Sequence, residues 1–297
     1  MELTQLRYFK ALAETGTLSK TAEKLYISPP ALSSSISRLE RELGTTLFDR
    51  GKTMSLNERG QVFLEYITQS LEALDNAQKA LDEMNDLHHA HLTVGVASTA
   101  IWHDLFVEFL REHPEVSLDQ QLVTLQDMSN ERILNTYDFI IAAPEDLSTE
   151  SLHSVCLYND DRPVLMVSES HPLANVGSVA FGDVRDEGFI APSKGSSSRR
   201  YFDDFCSVAG VQPRIVVECS LQMRQAFVAE GRGIGLTTAH AMRLAAKSGV
   251  CFLNITNPVY SRSQALYWHA KRYQTVAARA FRKFAVKYFE SGSNMMI

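Results

Sequence analysis

Through the first 85 residues the apolar positions of this chain return every three or four residues; after residue 91 they gather into short continuous runs. The first rhythm predicts helices and the second predicts buried strands. Leu3, Leu6, Phe9 and Leu12 or Ala13 share one face of a helix from about Leu3 to Glu14, which Gly16 ends. Thr17 or Ser19 caps a second helix with Leu18, Ala22 and Leu25 turned inward, and Ile27 plugs the next turn. Ser28 has the chemistry of an N-cap. Pro29 and Pro30 fall on the first two helical positions, where a missing N–H costs nothing. Leu32, Ile36, Leu39 and Leu43 then come at steps of four, three and four, a stripe that fixes the third helix on the other two.

Two helices joined by a tight turn, the second opening at Ser28, have the spacing of a DNA-reading helix-turn-helix. The face opposite the apolar stripe carries Ser33, Ser34, Ser37 and Arg38. Small hydroxyl side chains let a backbone approach a groove closely and bond to phosphates or base edges. The helix N-terminus adds N–H groups and partial positive charge toward a phosphate. Three serines alone describe a solvated helix face equally well; the basic turn at Arg50 and Lys52 favours DNA. Leu47-Phe48 packs back on the core, and the two basic residues stand in a glycine-containing turn suited to a minor groove or to phosphates.

From Glu58 to about Met84 there is no proline. Phe63, Ile67, Ser70, Leu74, Ala77, Leu81 and Met84 recur at alternating steps of four and three. This heptad seam predicts a helix roughly 40 Å long whose apolar edge meets a twin, hence a homodimer. Two recognition helices then reach successive major grooves about 34 Å apart. The segment Asp86 to His91 marks a boundary. Its His88, His89 and His91 match no metal-ligand spacing, and a polar hinge is expected there rather than a metal.

Strand-like runs come next at Leu92–Ala97, Leu122–Thr124, Phe139–Ala143, Val164–Val167, Phe189–Ala191, Ile215–Cys219, Ile234–Thr237 and Cys251–Leu253, with helix-like segments between several of them and at the end, about 275–290. Alternation of this kind implies a doubly wound α/β sheet, in one domain or two lobes. Three strand ends open into small polar turns: Ser98-Thr99, the run from Pro192 to Ser198, and Cys219-Ser220. Beyond the carboxyl ends of strands is where open α/β sheets hold ligands. The serine run is the strongest small-molecule signal; capping serines in a solvated loop are its plainer reading. Lys194, Arg199 and Arg200 beside it favour an anionic ligand such as a carboxylate. Gly231, Gly233 and Gly235 do not form a dinucleotide fingerprint, and no catalytic motif or cofactor motif is found.

Composition narrows the reading. Hydrophobic residues make up 45% and charged residues 22%, as in ordinary globular proteins, and 297 residues suggest two or three domains. The net charge of −6 excludes a generally basic nucleic-acid binder, but residues 1–57 carry a net of +2 and residues 58–89 a net of −5. No apolar run is long enough for a membrane span, the first residues lack a secretion-signal pattern, and a cytoplasmic location is expected. Four scattered cysteines are expected free and reduced, with a redox pair of Cys206 and Cys219 as the alternative.

With these residues in place the chain resembles the LysR-type transcriptional regulators over nearly its whole length. The resemblance is carried by Leu6–Phe9, Ala22–Ser28, Pro30-Ala31-Leu32-Ser33, Ile36–Glu40, Glu42–Arg50, Leu56–Gly60, His171–Ala174 and Ala277–Phe289. It implies an α+β multi-domain chain: a winged helix-turn-helix over residues 1–58, a dimerising linker helix and hinge over 59–90, and a two-lobed effector domain like periplasmic binding proteins over 91–297. Lobe I then takes about 91–161 and 265–297, and lobe II about 162–264. The implied partners are double-stranded DNA, a small-molecule effector between the lobes, and further copies of the chain as a homodimer or homotetramer; no cofactor, metal or catalytic set is implied.

The expected DNA-contacting set is Lys20, Thr21, Ser28, Pro29, Pro30, Ala31, Ser33, Ser34, Ser37, Arg38, Arg50 and Lys52. The expected effector set is Ser98, Thr99, Ser193, Lys194, Ser196, Ser198 and Thr237 or Thr238, carried over by position, with Ser220 from the strand-end reading and Gln126 from a segment that does not align with the family. The chain departs from the family at Pro29, where glutamine is usual, and at Ser34 and Ser37, positions often basic. Two other readings are a solute-binding or enzymatic α/β protein with an added dimerisation module, and a regulator that binds no ligand.

Overall fold

The computed structural model describes residues 1–50, 54–85, 90–98, 101–147, 151–244, 249–270 and 272–290. The chain divides into two compact units, Met1–Met84 and Asn85–Ile297.

In the first unit α1 (Leu3–Thr15), α2 (Leu18–Lys24) and α3 (Pro29–Leu43) lead to an antiparallel hairpin of β1 (Phe48–Arg50) and β2 (Met54–Leu56), then to α4 (Glu58–Asn85). The periodic positions become the core: Leu6, Phe9, Leu12, Ala22, Leu32, Ile36 and Leu39 meet Leu47 and Phe48. Gly16 closes α1 in the left-handed conformation (φ 67°), which glycine adopts at no steric cost, and its carbonyl accepts from the Met54 amide at 2.9 Å. Ser28 caps α3, its hydroxyl accepting from the Ala31 amide at 3.3 Å. At Gly60 a Cβ would stand 2.1 Å from the Leu47 carbonyl oxygen, so only glycine lets α4 lie this close to the segment entering the hairpin.

Glu40 is the one buried acid of this unit among the described residues. Its Oε1 accepts from the amides of Leu47 (2.8 Å) and Phe48 (3.4 Å), tying α3 to the hairpin. Glu40→Ala leaves both amides without that acceptor and is expected to cost about 2 kcal/mol or more. Glu40→Gln, which keeps an acceptor oxygen, should recover much of the loss. Thermal unfolding followed by far-ultraviolet circular dichroism checks this, and an unchanged first transition in the alanine variant would count against it.

The second unit holds two sheets. Its first, in the order β4-β3-β5-β13-β6, joins β3 (Ala90–Val96), β4 (Val116–Leu122), β5 (Phe139–Ala142), β6 (Leu152–Asp161) and β13 (Arg262–His269). The other, in the order β10-β9-β11-β7-β12-β8, joins β7 (Pro163–Ser168), β8 (Ser178–Val179), β9 (Gly188–Pro192), β10 (Arg214–Cys219), β11 (Ile234–Thr238) and β12 (Val250–Ile255). Each lobe therefore has its own mixed sheet; the chain passes from one to the other at Arg162 and returns before Arg262. Helices α5 (His103–Glu112) and α11 (Val276–Glu290) cover one face of the first sheet, where Phe281 meets Phe106, Phe109 and Phe139 at ring distances of 5.1–5.8 Å. The short helices α6 (Leu125–Met128) and α7 (Glu131–Leu134) stand on its other face. In the second sheet α8 (Ser197–Val208) covers one face and α9 (Leu221–Ala229) the other, and α10 (Ala239–Leu244) comes directly after β11. A strand covered on both faces has no polar positions to spare; β5 and β7 are buried at every residue, and both stand out in the sequence as apolar runs.

The sequence-based elements need correction in three places. Strand β4 lies at Val116–Leu122, ahead of the expected Leu122–Thr124, because it is an edge strand with mostly polar residues. Strands β6 and β13 carry no long apolar run and do not show in the hydropathy pattern. Together they make the outer antiparallel pair of the first sheet, and β13 begins at Arg262, three residues before the expected return to lobe I.

Candidate DNA-reading surface and effector cleft

The two candidate sites fall in different units. In the first, the N-terminal turn of α3 projects from the core with Ser28, Pro29, Pro30, Ala31, Ser34 and Arg38 exposed and Ser33 and Ser37 half-buried. Lys20 is exposed on α2. Arg38 Nη2 stands 3.4 Å from Glu2 Oε2, an exposed and salt-screened pair that an incoming phosphate or base can replace. Thr21 is a correction. It is fully buried, donates to the Thr17 carbonyl at 2.7 Å and contacts the Thr15 hydroxyl, so it shapes the helix-turn-helix and presents nothing to a groove. Arg50 ends β1, paired with Met54; Lys52 lies outside the described residues. Sequence reading missed Tyr26, almost wholly exposed in the turn at φ 54°, a backbone geometry that a tyrosine rarely adopts.

In the second unit a cleft, partly open to solvent, lies between the sheets. Ala97, Ser98 and Ile101 line it from lobe I; Ser197, Ser198, Tyr201, Arg224, Leu236, Thr237, Thr238 and Ala241 line it from lobe II. Asp161, Arg262 and Gln264 line it where the chain crosses between the sheets. Of the expected effector residues, Ser98, Ser198, Thr237 and Thr238 are brought together here; Thr99 lies outside the described residues. The others do not line the cleft. Gln126 is exposed on α6. Ser196 is the N-cap of α8, accepting from the Arg199 amide at 3.1 Å and donating to the Ser193 carbonyl at 2.7 Å. Ser193 and Lys194 are exposed, and the Lys194 amide donates to Glu218 at 3.2 Å. Ser220 precedes the first residue of α9. The serine run is thus mainly a helix cap, and only its last residues, Ser197 and Ser198, reach the cleft.

The basic residues expected beside that run are also committed elsewhere. Arg199 bridges Asp203 (2.9 Å) and Glu218 (2.8 Å), and Arg200 donates to the Glu145 carbonyl at 2.6 Å. The cleft has its own charges, which sequence reading missed because they lie far apart along the chain. Arg262 donates through Nη2 to Asp146 Oδ2 (2.6 Å) and Ser197 Oγ (3.0 Å), and through Nε to Glu145 (2.7 Å), so this cluster joins both lobes and the crossing strand. Asp161 is buried and accepts from the His240 amide at 2.9 Å. Burial pushes its carboxyl pKa up, and the His240 amide and Thr238 hydroxyl oppose that shift. On the lobe I side His240 Nε2 donates to the Ile101 carbonyl at 3.0 Å. Cys206 is packed in the lobe II core with its thiol pushed up to about 12 by burial, unlike an accessible redox thiol. Among the described residues no group of three or more His, Cys, Asp or Glu could hold a metal ion; His91 is exposed on β3, and His88 and His89 lie outside the described residues.

A winged helix-turn-helix joined to a two-lobed ligand-binding α/β unit defines a ligand-responsive DNA-binding regulator. Two family models match the chain: the bacterial regulatory helix-turn-helix protein, lysR family, over residues 3–61, and the LysR substrate binding domain over residues 85–290. The chain belongs to the LysR family of transcriptional regulators and is not an enzyme. It is 28% identical to the HTH-type transcriptional regulator YybE of Bacillus subtilis strain 168, with 97% of this chain and 99% of that one covered. It is also 28% identical to a "Probable RuBisCO transcriptional regulator" of Porphyra purpurea, with 98% and 95% covered. Its fold is that of full-length OxyR from Pseudomonas aeruginosa (23% identity, 96% of each chain, TM-score 0.65) and of full-length BenM (20% identity, 98% of each chain, TM-score 0.56). No described helix is long and apolar enough to cross a membrane.

Proposed function

We propose that this regulator acts in the cytoplasm as a homodimer or a pair of dimers. Residues 1–58 read a near-palindromic DNA site, 59–90 join the copies, and 91–297 bind the effector. The exposed, Ser28-capped start of α3 carries the reading. Lys20, the residues from Ser28 to Ala31, Ser33, Ser34, Ser37 and Arg38 form the groove-facing set, and Arg50 and Lys52 meet the backbone or the minor groove. Ser98, Ser198, Thr237 and Thr238 supply hydroxyl groups to a small molecule between the lobes. Such a ligand changes the angle between lobes and through it the spacing of DNA-binding pairs; it shifts the equilibrium only as far as it binds one arrangement better than the other.

Oligonucleotide selection at fixed salt, then titration of the selected site, tests the assignment. Arg38→Ala is expected to cost about 1–3 kcal/mol at one base position and to relax preference there. A uniform loss across all sequences would reduce Arg38 to a phosphate contact. Selection that returns no preferred sequence would remove the proposed groove-facing set altogether.

A further inference from the structure

The cleft contains donors without acceptors. Arg224 reaches it from α9, is 3% exposed, and has a buried Nε with no hydrogen-bond partner. Among the described residues no carboxylate lies within ion-pair distance of its guanidinium, and the one titratable neighbour acting on it is Cys219. Burial lowers its pKa to about 10, which still leaves it charged at neutral pH. The Tyr201 hydroxyl, also buried and lining the cleft, has no partner either, and burial raises its pKa so that it stays a donor. The acids of the cleft are engaged elsewhere: Asp146 and Glu145 with Arg262, and Asp161 with the His240 amide. The stem of Arg224 runs over Gly235 of β11, its Cδ 3.7 Å from the place a Cβ would take.

A buried cation with no counter-charge is costly in the empty protein, and the cost falls when an anion arrives. A neutral ligand would leave it unchanged. We propose that Arg224 is the charge anchor for a small carboxylate ligand in the cleft, with the Tyr201 hydroxyl as a second donor to it. This rests on the effector reading of the cleft and deepens it. It also moves the source of anion preference from Lys194, Arg199 and Arg200 to a residue about 25 positions later in the chain.

The test uses the full chain with acetate, propionate, succinate and benzoate, each beside its amide, at constant ionic strength. Melting temperature and calorimetry are the readouts. At least one acid is expected to raise the melting temperature by several degrees while its amide does not. Arg224→Met should abolish that response and, without ligand, melt no lower than the parent chain, because it removes an unpaired charge. Tyr201→Phe should weaken the same acid several-fold and keep the fold. Equal effects of acid and amide, a response that survives Arg224→Met, or no response to any acid would each overturn the proposal. So would a marked fall in the ligand-free melting temperature of Arg224→Met, which would make the residue structural. Specific DNA binding measured alongside separates the two readings: if it persists while the acids fail, the regulator stands and the anion anchor falls.

Discussion

Asp146→Ala is expected to destabilise the effector domain by about 3–5 kcal/mol, the usual effect of removing one member of a buried ion pair. Its side chain is wholly buried and that of Arg262 is 6% exposed. The pair is reinforced by Ser197, since Asp146 also accepts from its hydroxyl at 2.5 Å and Arg262 also reaches its carbonyl at 3.3 Å. Without Asp146 the guanidinium keeps Glu145, which is 39% exposed and screened by solvent, and the Ser197 hydroxyl loses its acceptor. Arg262→Ala should cost a similar amount, leaving Asp146 with the more distant Arg200 at 3.5 Å. The pair as a whole contributes far less than either deletion implies, because both charges had to leave water to form it. The double variant Asp146→Leu, Arg262→Met should therefore lose far less stability than the sum of the two single losses. Both tryptophans, Trp102 and Trp268, lie in this unit, so urea unfolding followed by tryptophan fluorescence reports on it selectively. Single variants within about 1 kcal/mol of the parent would show that the cluster contributes little.

The same cluster joins lobe I through Asp146, lobe II through Ser197 and the crossing strand through Arg262. A loss of effector response in Asp146→Ala that exceeds its loss of stability would indicate that the cluster also sets the lobe angle.

How much of this was legible in the sequence depended on how local the signal was. The first unit was read nearly residue by residue. Its determinants are local: helical spacing of apolar positions in α1 and α3, a serine cap before two prolines, and Gly16, which ends α1 in left-handed backbone. The one error there, Thr21, has the same cause as the successes. A threonine on a short amphipathic helix looks exposed by type, and only the neighbouring Thr15 and Thr17 show that it faces inward.

The second unit was legible where strands are buried on both faces and faded at its edges. Strands β5, β7, β9 and β11 are runs of apolar residues; β4, β6 and β13 mix polar and apolar positions because solvent or a crossing chain takes one side. The cleft was the least legible part. Ser98 was found because strand ends in α/β folds are where ligands bind, and Thr237 because the family resemblance implies it. Arg224, Arg262 and Asp161 were missed because nothing local marks a charged residue as buried; their roles come from segments about 60 to 120 positions apart meeting at the crossing between lobes. The serine run was legible in part: Ser198 lines the cleft, and capping, the plainer reading of the run, describes Ser196.

The seam of α4 carries the other large expected effect. Its first part is occupied within the chain, where Ile67 and Leu71 are buried against the helix-turn-helix core with Phe63 and Leu64 beside them. Further along, Leu74 is 51% and Leu81 is 54% exposed, with Ala77 exposed between them on the same heptad edge. Two leucines left in water on one stripe of a long helix are what a partner helix would cover. Placing a charge on each, Leu74→Glu with Leu81→Glu, opposes like charges across a symmetric seam, since a residue near a two-fold axis faces its own copy. The variant is expected to sediment as a monomer with its helical content intact, because neither leucine belongs to the core of its own chain. On a DNA site with two half-sites its affinity should fall by about 10²–10⁴, the advantage lost when the second contact is no longer tethered to the first. On a single half-site parent and variant should bind alike. A variant that stays dimeric and keeps full affinity would place the dimer seam elsewhere on the molecule.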